Sequence, residues 1–244
     1  MALRDLKGGS KGAVLGVLWV VINPFIQVVA YVVIVSFLFK IKLHDRMGLF
    51  DYATYVLSGM IPWQILAKSM TDAPMLIRSN TDMVKQIIYP IETLPLTSLL
   101  LSCFGGCVQL LVLVTILLFT NQVEWTLILF PFAFFFLLLF ILGISWILSI
   151  AGVVFKDLKD IVGVLMTLLI YFSPVILHES MTGPVLWQYV LLNPLSHIVI
   201  SFRDVFLGNF HLSSWIIFLS QSIGAFLLGN FAMVKAKQLI NEYI

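Results

Sequence analysis

The sequence predicts an all-α integral membrane protein with six transmembrane helices and both termini in the cytoplasm. Composition is the first reason, since 61% of the 244 residues are hydrophobic and only 11% are charged, whereas soluble domains average about 45–50% and about 25%. The second reason is a series of long stretches without Asp, Glu, Lys or Arg, and the third is the uneven distribution of Lys and Arg around them. The net charge of +2 gives no indication of nucleic-acid binding.

The charge-free stretches mark the predicted spans. A helix needs about 20 apolar residues to cross the hydrocarbon core, and a charge at its centre costs about 3 kcal/mol or more. Six of the seven charge-free stretches are interpreted as spans. The predicted spans cover about 14–39, 53–70, 96–119, 127–154, 161–178 and 212–234.

The distribution of basic residues sets the orientation. With the N-terminus inside, the cytoplasmic segments hold ten Lys and Arg residues and the outer segments hold four. Cytoplasmic loops of membrane proteins are enriched in Lys and Arg. The bias therefore supports six spans with both termini in the cytoplasm.

Two small-residue pairs stand inside the spans. Gly12 and Gly16 begin the first span at a spacing that permits close contact with another helix. Cys103 and Cys107 lie one turn apart on one face of the third span. No further metal ligand stands near the cysteines, so we expect packing residues there and no metal site.

The long polar segment 71–95 separates spans two and three on the cytoplasmic side. Val84, Ile87 and Ile88 follow the spacing i, i+3, i+4, which predicts a short amphipathic helix, and Pro90 ends it. Such a helix either rests on the lipid surface or docks a cytoplasmic partner, and the pattern alone fits both interpretations.

The outer segment 179–211 between spans five and six is interrupted by Pro184, Asn193 and Pro194. Irregular backbone at membrane depth persists only where protein or water covers it. We therefore expect short re-entrant helices here, and the alternative is a seventh crossing that would place the termini on opposite sides. Arg203 and Asp204 are expected to form an ion pair at the outer face, with a solvated surface pair as the simplest interpretation.

The chain lacks the motifs of several enzyme classes. No G-x-x-x-x-G-K-[ST] loop for ATP phosphates occurs, and no H-E-x-x-H or G-x-S-x-G motif. Ion-driven carriers usually keep ionisable groups near the midplane, and these spans have none. What remains is a machine that takes its energy from elsewhere, or a passive scaffold, and we expect this chain to be no enzyme and to bind no cofactor.

Aromatic residues provide candidates for a transport path. Aromatic faces can stack on sugar rings, although lipid-facing Phe and interfacial Trp are commoner uses. The candidates for a conduit or gate are Trp19, Asn23, Tyr31, Tyr171, Phe172, Ser173 and Trp187.

Four stretches of the sequence carry a family resemblance. They are LKGGSKGAVLGVLWVVINP, LSGMIPWQ followed by SNTDMVKQIIYPIETLPLTSLL, FKDLKDIVGVLMTLLIYFSPVIL, and LNPLSHIVISFRDVFLG. Together they resemble the transmembrane permease subunits of type-2 ABC exporters, in the polysaccharide group that exports O-antigen, capsule and teichoic acid. The resemblance extends over almost the entire chain.

The resemblance implies a location, partners and a cargo. A homodimer would form a twelve-helix pore in the bacterial cytoplasmic (inner) membrane, with spans one and five lining the conduit. A separate ATPase subunit, in two copies, would bind ATP and Mg. The cargo would be an undecaprenyl-linked glycan such as the O-antigen of lipopolysaccharide. The residues implied to contact the ATPase as a coupling helix are Val84, Lys85, Ile87, Ile88, Tyr89, Pro90 and Glu92.

Two alternatives remain from the sequence. The first is a drug or small-lipid exporter of the same type. The second is a membrane-embedded glycan-modifying transferase, which would need polar catalytic residues clustered near one interface, and such clusters are scarce here.

Overall fold

A computed structural model of the chain describes residues 49–80, 91–175, 177 and 179–243, together with residues 22, 25, 26, 29 and 30. These five residues are helical and fall within the predicted first span. The remainder of that span lies outside the described residues, and so does most of the predicted coupling helix.

All regular elements in the described part of the chain are helical, as the composition predicts. Two short 3-10 turns, Ala73–Met75 and Trp125–Leu129, connect longer helices. The α-helices are α1 (Leu49–Asp72), α2 (Leu76–Ser79), α3 (Thr93–Thr120), α4 (Phe130–Val154), α5 (Leu158–Tyr171), α6 (Glu179–Leu192), α7 (Pro194–Leu207) and α8 (Leu212–Tyr243).

Three of the described helices, α3, α4 and α8, are long and apolar enough to cross a membrane. The pair α6 and α7 would make a fourth if it is counted as one broken span. α1 is long enough to cross a membrane but is more polar than these three helices. α5 has only 14 residues. Six spans therefore remain a prediction.

α5 ends earlier than the charge-free stretch suggests. The predicted span reaches residue 178, but the helix stops at Tyr171. The cause is Pro174, because a proline disfavours helical backbone at the residue before it. With 14 residues, α5 is about 21 Å long, which is shorter than the hydrocarbon core of about 30 Å.

α1 lies at the centre of the described helices and packs against α3, α7, α5 and α4. The side chains of residues 53–63 are all buried, and Leu57 and Ile61 belong to the main hydrophobic core. Thr54 and Ser58 are buried within the same stretch. Because protein rather than lipid surrounds this helix, polar residues are tolerated in it.

α4 and α8 pack together more extensively than any other described helix pair. A Cβ atom added at Gly143 would collide with the carbonyl group of Ala225, and one added at Gly229 would collide with the carbonyl group of Gly143. Small residues therefore allow the two backbones to touch, as is common between membrane helices.

In the predicted outer segment, Thr182–Leu192 and Pro194–Leu207 are bent by 109° with respect to each other, and α6 has a further kink at Gly183. Asn193 begins α7, and its side chain accepts a hydrogen bond from the Leu195 N–H at 3.0 Å, as an N-cap residue does. Pro194 follows at the first helical position, where a missing N–H costs nothing. The bend excludes a straight seventh helix, and insertion of the pair into the outer half of the membrane stays a prediction.

Candidate functional site

The residues on either side of the predicted coupling segment belong to one buried cluster. Ile77 before the segment and Ile91 after it are both buried in this cluster, together with Trp146 of α4 and Met233 of α8. The indole N–H of Trp146 also donates to the Glu92 carbonyl oxygen at 3.0 Å. Ile77 and Ile91, which we call the base of the predicted coupling segment, are therefore packed against α4 and α8.

Most of the predicted coupling residues are not among the described ones. Glu92 is described, is half-buried and immediately precedes α3. Its role as a contact for a partner stays a prediction. The others lie outside the described residues, and they are Val84, Lys85, Ile87, Ile88, Tyr89 and Pro90.

Two cavities lie beside this base and share Lys159 at the start of α5. The first has a volume of about 350 Å³ and also includes Asp72, Ser79, Asn80 and Thr97 among its lining residues. The second, of about 390 Å³, lies between the end of α1 and α5. Asp72 in the first cavity and Asp160 in the second offset the charge of the Lys159 ammonium group, so neither lining is cationic overall. Lys159 was not singled out from the sequence, where its only signal was a cation directly preceding a span.

One face of α5 is apolar and exposed. Its side chains follow the spacing of a single helix face, and the opposite face, with Val162 and Ile170, is buried. We call the exposed set the α5 stripe. It consists of Ile161, Val164, Leu165, Leu168, Tyr171 and Phe172.

The structure separates the predicted conduit residues into three groups. Tyr171 and Phe172 are exposed at the outer end of the α5 stripe, and Trp187 on α6 is half-buried. Ser173 is fully buried, and its hydroxyl donates to the Ile170 carbonyl oxygen at 2.8 Å. The role of Ser173 in lining a path stays a prediction, and in this structure its side chain is enclosed by protein. Trp19, Asn23 and Tyr31 lie outside the described residues.

Asp204 does not form the predicted ion pair with Arg203. It is 2% exposed, and its carboxylate accepts from the backbone N–H of His211 at 2.8 Å and from the indole N–H of Trp215 at 3.1 Å. Its other oxygen lies 2.7 Å from His211 Nδ1. Neighbouring residues of an α-helix point about 100° apart, so adjacency in sequence does not bring the two charges together. The solvated pair is likewise wrong, since both residues are buried.

Arg203 lies on the other side of α7, against α1 and the turn that follows α5. Its guanidinium carbon is 3.5 Å from the centroid of the Tyr55 ring, within the range of a cation–π interaction. Nη2 donates to the carbonyl oxygen of Pro174 at 2.7 Å and to that of Tyr55 at 3.4 Å. One cation thus joins α7, α1 and the turn that follows α5.

No group of three or more His, Cys, Asp or Glu residues that could hold a metal ion occurs among the described residues. Cys103 is buried and Cys107 is exposed, and neither forms a disulfide. The arrangement contains apolar faces, two cavities and a buried polar cluster rather than a set of catalytic groups.

Comparison with known proteins gives one family and several relatives. Residues 4–207 match the family model described as ABC-2 type transporter. The O-antigen export system permease protein RfbA of Klebsiella pneumoniae is 27% identical over 209 residues, which is 84% of this chain and 78% of the relative. The protein of the same name from Myxococcus xanthus is 27% identical over 206 residues, covering 83% and 77%. The polysialic acid transport protein KpsM of Escherichia coli is 22% identical over 210 residues, covering 85% and 80%.

Proposed function

The chain belongs to the ABC-2 type transporter family, and from this premise we propose that it is the permease subunit of an ATP-driven polysaccharide exporter. The family and the apolar helices make it a multi-pass membrane protein. The proposed cargo is a lipid-linked glycan, and the proposed location is the cytoplasmic membrane of a bacterium.

The similarity to polysaccharide export permeases is the observation that carries this proposal. Three relatives are named for O-antigen export and are 26–27% identical to this chain. Two are named for polysialic acid transport and are 21–22% identical. We therefore propose O-antigen as the first candidate cargo, and capsule or teichoic acid as members of the same chemical class.

ATP hydrolysis is proposed to take place on a separate chain. Members of this family work with an ATPase partner, and this sequence has no phosphate-binding loop of the G-x-x-x-x-G-K-[ST] type. The proposed contact for two ATPase copies is the segment between α2 and α3. Its base on Ile77 and Ile91 would transmit a push from the partner to α4 and α8.

The α5 stripe supports a path formed by two copies of this chain. An apolar face that ends in Tyr171 and Phe172 is suited to lie beside sugar rings at one end and lipid along the rest. We propose that the α5 stripe and the first span of a homodimer enclose the path. At the opposite end of α5, Lys159 is proposed to contact the phosphate that joins a glycan to its lipid carrier, although Asp72 and Asp160 line the same cavities.

Two measurements in the native host test the proposal. Affinity purification of the tagged chain from solubilised membranes should recover an ATPase subunit, and deletion of the chain should remove a surface glycan that the intact chain restores. Failure to recover any ATPase, together with an unchanged surface glycan in the deletion strain, would refute the proposal.

The cargo class is tested with the purified complex in lipid nanodiscs. Lipid-linked glycan should raise the ATPase rate, and hydrophobic drugs at equal concentration should not. The opposite result would favour the small-lipid or drug exporter that the sequence also allowed.

A further inference from the structure

The turn that follows α5 presents backbone carbonyl groups that have no partner within the helix. The last four carbonyls of any α-helix lack intrahelical donors, and a buried unpaired carbonyl is costly. Beyond the helix end, three backbone carbonyls of the segment 172–177 receive a side-chain donor from another element. The first is the Phe172 carbonyl oxygen, which accepts from Asn193 Nδ2 at 3.2 Å.

The other two donors come from α7 and α1. Arg203 Nη2 donates to the Pro174 carbonyl oxygen at 2.7 Å, and the Tyr55 hydroxyl donates to the Leu177 carbonyl oxygen at 3.3 Å. The Tyr55 ring also lies beneath the Arg203 guanidinium. The segment that directly follows α5 is therefore bonded to three different elements: α1, the α6–α7 bend and α7.

Space around Arg203 is limited by α1. A Cβ atom added at Gly59 would come within 3.1 Å of Arg203 Nη2, within 3.1 Å of the Val199 side chain and within 3.5 Å of Val175 Cα. The position of α7 against the turn thus depends on a glycine in α1. A planar guanidinium fits between the ring and the turn, whereas a lysine ammonium cannot stack and bond to two carbonyls in the same way.

Asn193 uses both ends of its amide. Its oxygen accepts from the Leu195 N–H and begins α7, while its NH₂ donates to the turn. One side chain thus sets the start of α7 and fixes the distance between α7 and the end of α5.

We propose that Tyr55, Asn193 and Arg203 form a latch that fastens the outer end of α5 to α1 and α7. α5 then moves together with the outer helices, or moves alone only after these bonds break. The latch is a property of this chain and does not depend on the identity of the cargo.

The test measures how often the turn opens. Ser173 is fully buried within the turn, and Ser173→Cys replaces its oxygen with sulfur at the same place. The two native cysteines are first replaced by alanine, and the protein is purified in lipid nanodiscs. The rate of reaction with a water-soluble maleimide then reports opening of the turn.

Three variants weaken the latch to different extents. Arg203→Met should raise the reaction rate on the order of 100-fold, through loss of a charge-assisted hydrogen bond and a cation–π contact. Tyr55→Phe keeps the ring and removes only the hydroxyl, so the rate should rise about five-fold. Asn193→Asp keeps the oxygen that begins α7 and removes the donor, with a rise of similar size.

Two controls accompany these variants. Arg203→Lys should restore part of the slow rate. Asn209→Cys, in the exposed outer loop, should react at the same rate in every background. If Arg203→Met cannot be purified, Tyr55→Phe and Asn193→Asp test the proposal by the same reaction rate.

Equal Ser173→Cys rates in the native, Tyr55→Phe and Asn193→Asp backgrounds would overturn the latch. The readout needs neither cargo nor ATPase, so this result would leave the proposed export function untouched. Failure of the export assays would in turn leave the latch untouched.

Discussion

We predict that alanine at the crossing of α4 and α8 destabilises the protein, although alanine is a better helix former than glycine. A methyl group at Gly229 would overlap the Gly143 carbonyl group, and one at Gly143 would overlap the Ala225 carbonyl group. Both obstacles are backbone atoms, so no side chain can rotate away. The helices themselves must separate.

The size of the effect follows from two opposing terms. Ordinary contacts of a Cβ atom lie at 3.4–4 Å, so the helices must separate by on the order of 1 Å. Overpacking of this kind costs about 1–3 kcal/mol, and backbone obstacles place it at the upper end. Replacing glycine with alanine stabilises a helix by up to about 1 kcal/mol. We expect a net loss of about 1–2 kcal/mol for Gly143→Ala and for Gly229→Ala.

The assay is thermal unfolding of the purified protein in detergent. A loss of this size should lower the melting temperature by about 2–8 °C. The double variant should lose less than the sum of the two single variants, because one separation of the helices relieves both overlaps.

Gly224 provides a matched control on the same helix. A Cβ atom added there has no atom within 4 Å, so Gly224→Ala should leave the melting temperature unchanged or slightly raised. Equal losses for Gly224→Ala and Gly229→Ala would refute the reasoning, because glycine content rather than close backbone contact would then explain the effect.

Three further predictions concern the cytoplasmic end. Replacing both Ile87 and Ile88 with aspartate should uncouple ATP hydrolysis from export while membrane insertion stays normal; normal export in the double variant would contradict a docking role. Trp146→Phe removes the donor to the carbonyl that precedes α3 and should cost about 1 kcal/mol, measured by thermal unfolding; an unchanged melting temperature would show that this bond does not hold the base of the segment. Lys159→Gln should lower export several-fold if this cation binds the carrier phosphate, whereas Lys156→Gln, at an exposed position, should not; equal export in both would remove Lys159 from the path.

Sequence patterns predict where apolar helices run better than they predict where those helices end. Charge-free stretches place α3 and α4 within three residues of their observed bounds. They overestimate the length of α5. An absence of charged residues shows that a stretch is compatible with lipid, but it does not show where a turn ends the helix. The residue that ends α5 is Pro174, and the Ser-Pro pair was visible in the sequence as a possible helix boundary.

Side-chain partners were the least predictable part of the site. Arg203 and Asp204 are adjacent in sequence, but one faces α1 and the other faces His211. The contact between Arg203 and Tyr55 spans 148 positions, and no local pattern indicates it. By contrast, Asn193 followed by Pro194 is a local signal for a helix start, and it correctly predicted a break in the outer segment.

The burial of α1 has a consequence for biogenesis. A helix that carries polar residues among its apolar ones and is enclosed by protein gains little from lipid alone, so it is a weak insertion signal when it first leaves the ribosome. Two of the helices that enclose it, α3 and α7, are synthesised later. We therefore expect α1 to remain in contact with the insertion machinery until α7 has been made, and truncations that end before α7 to be degraded faster than the full chain.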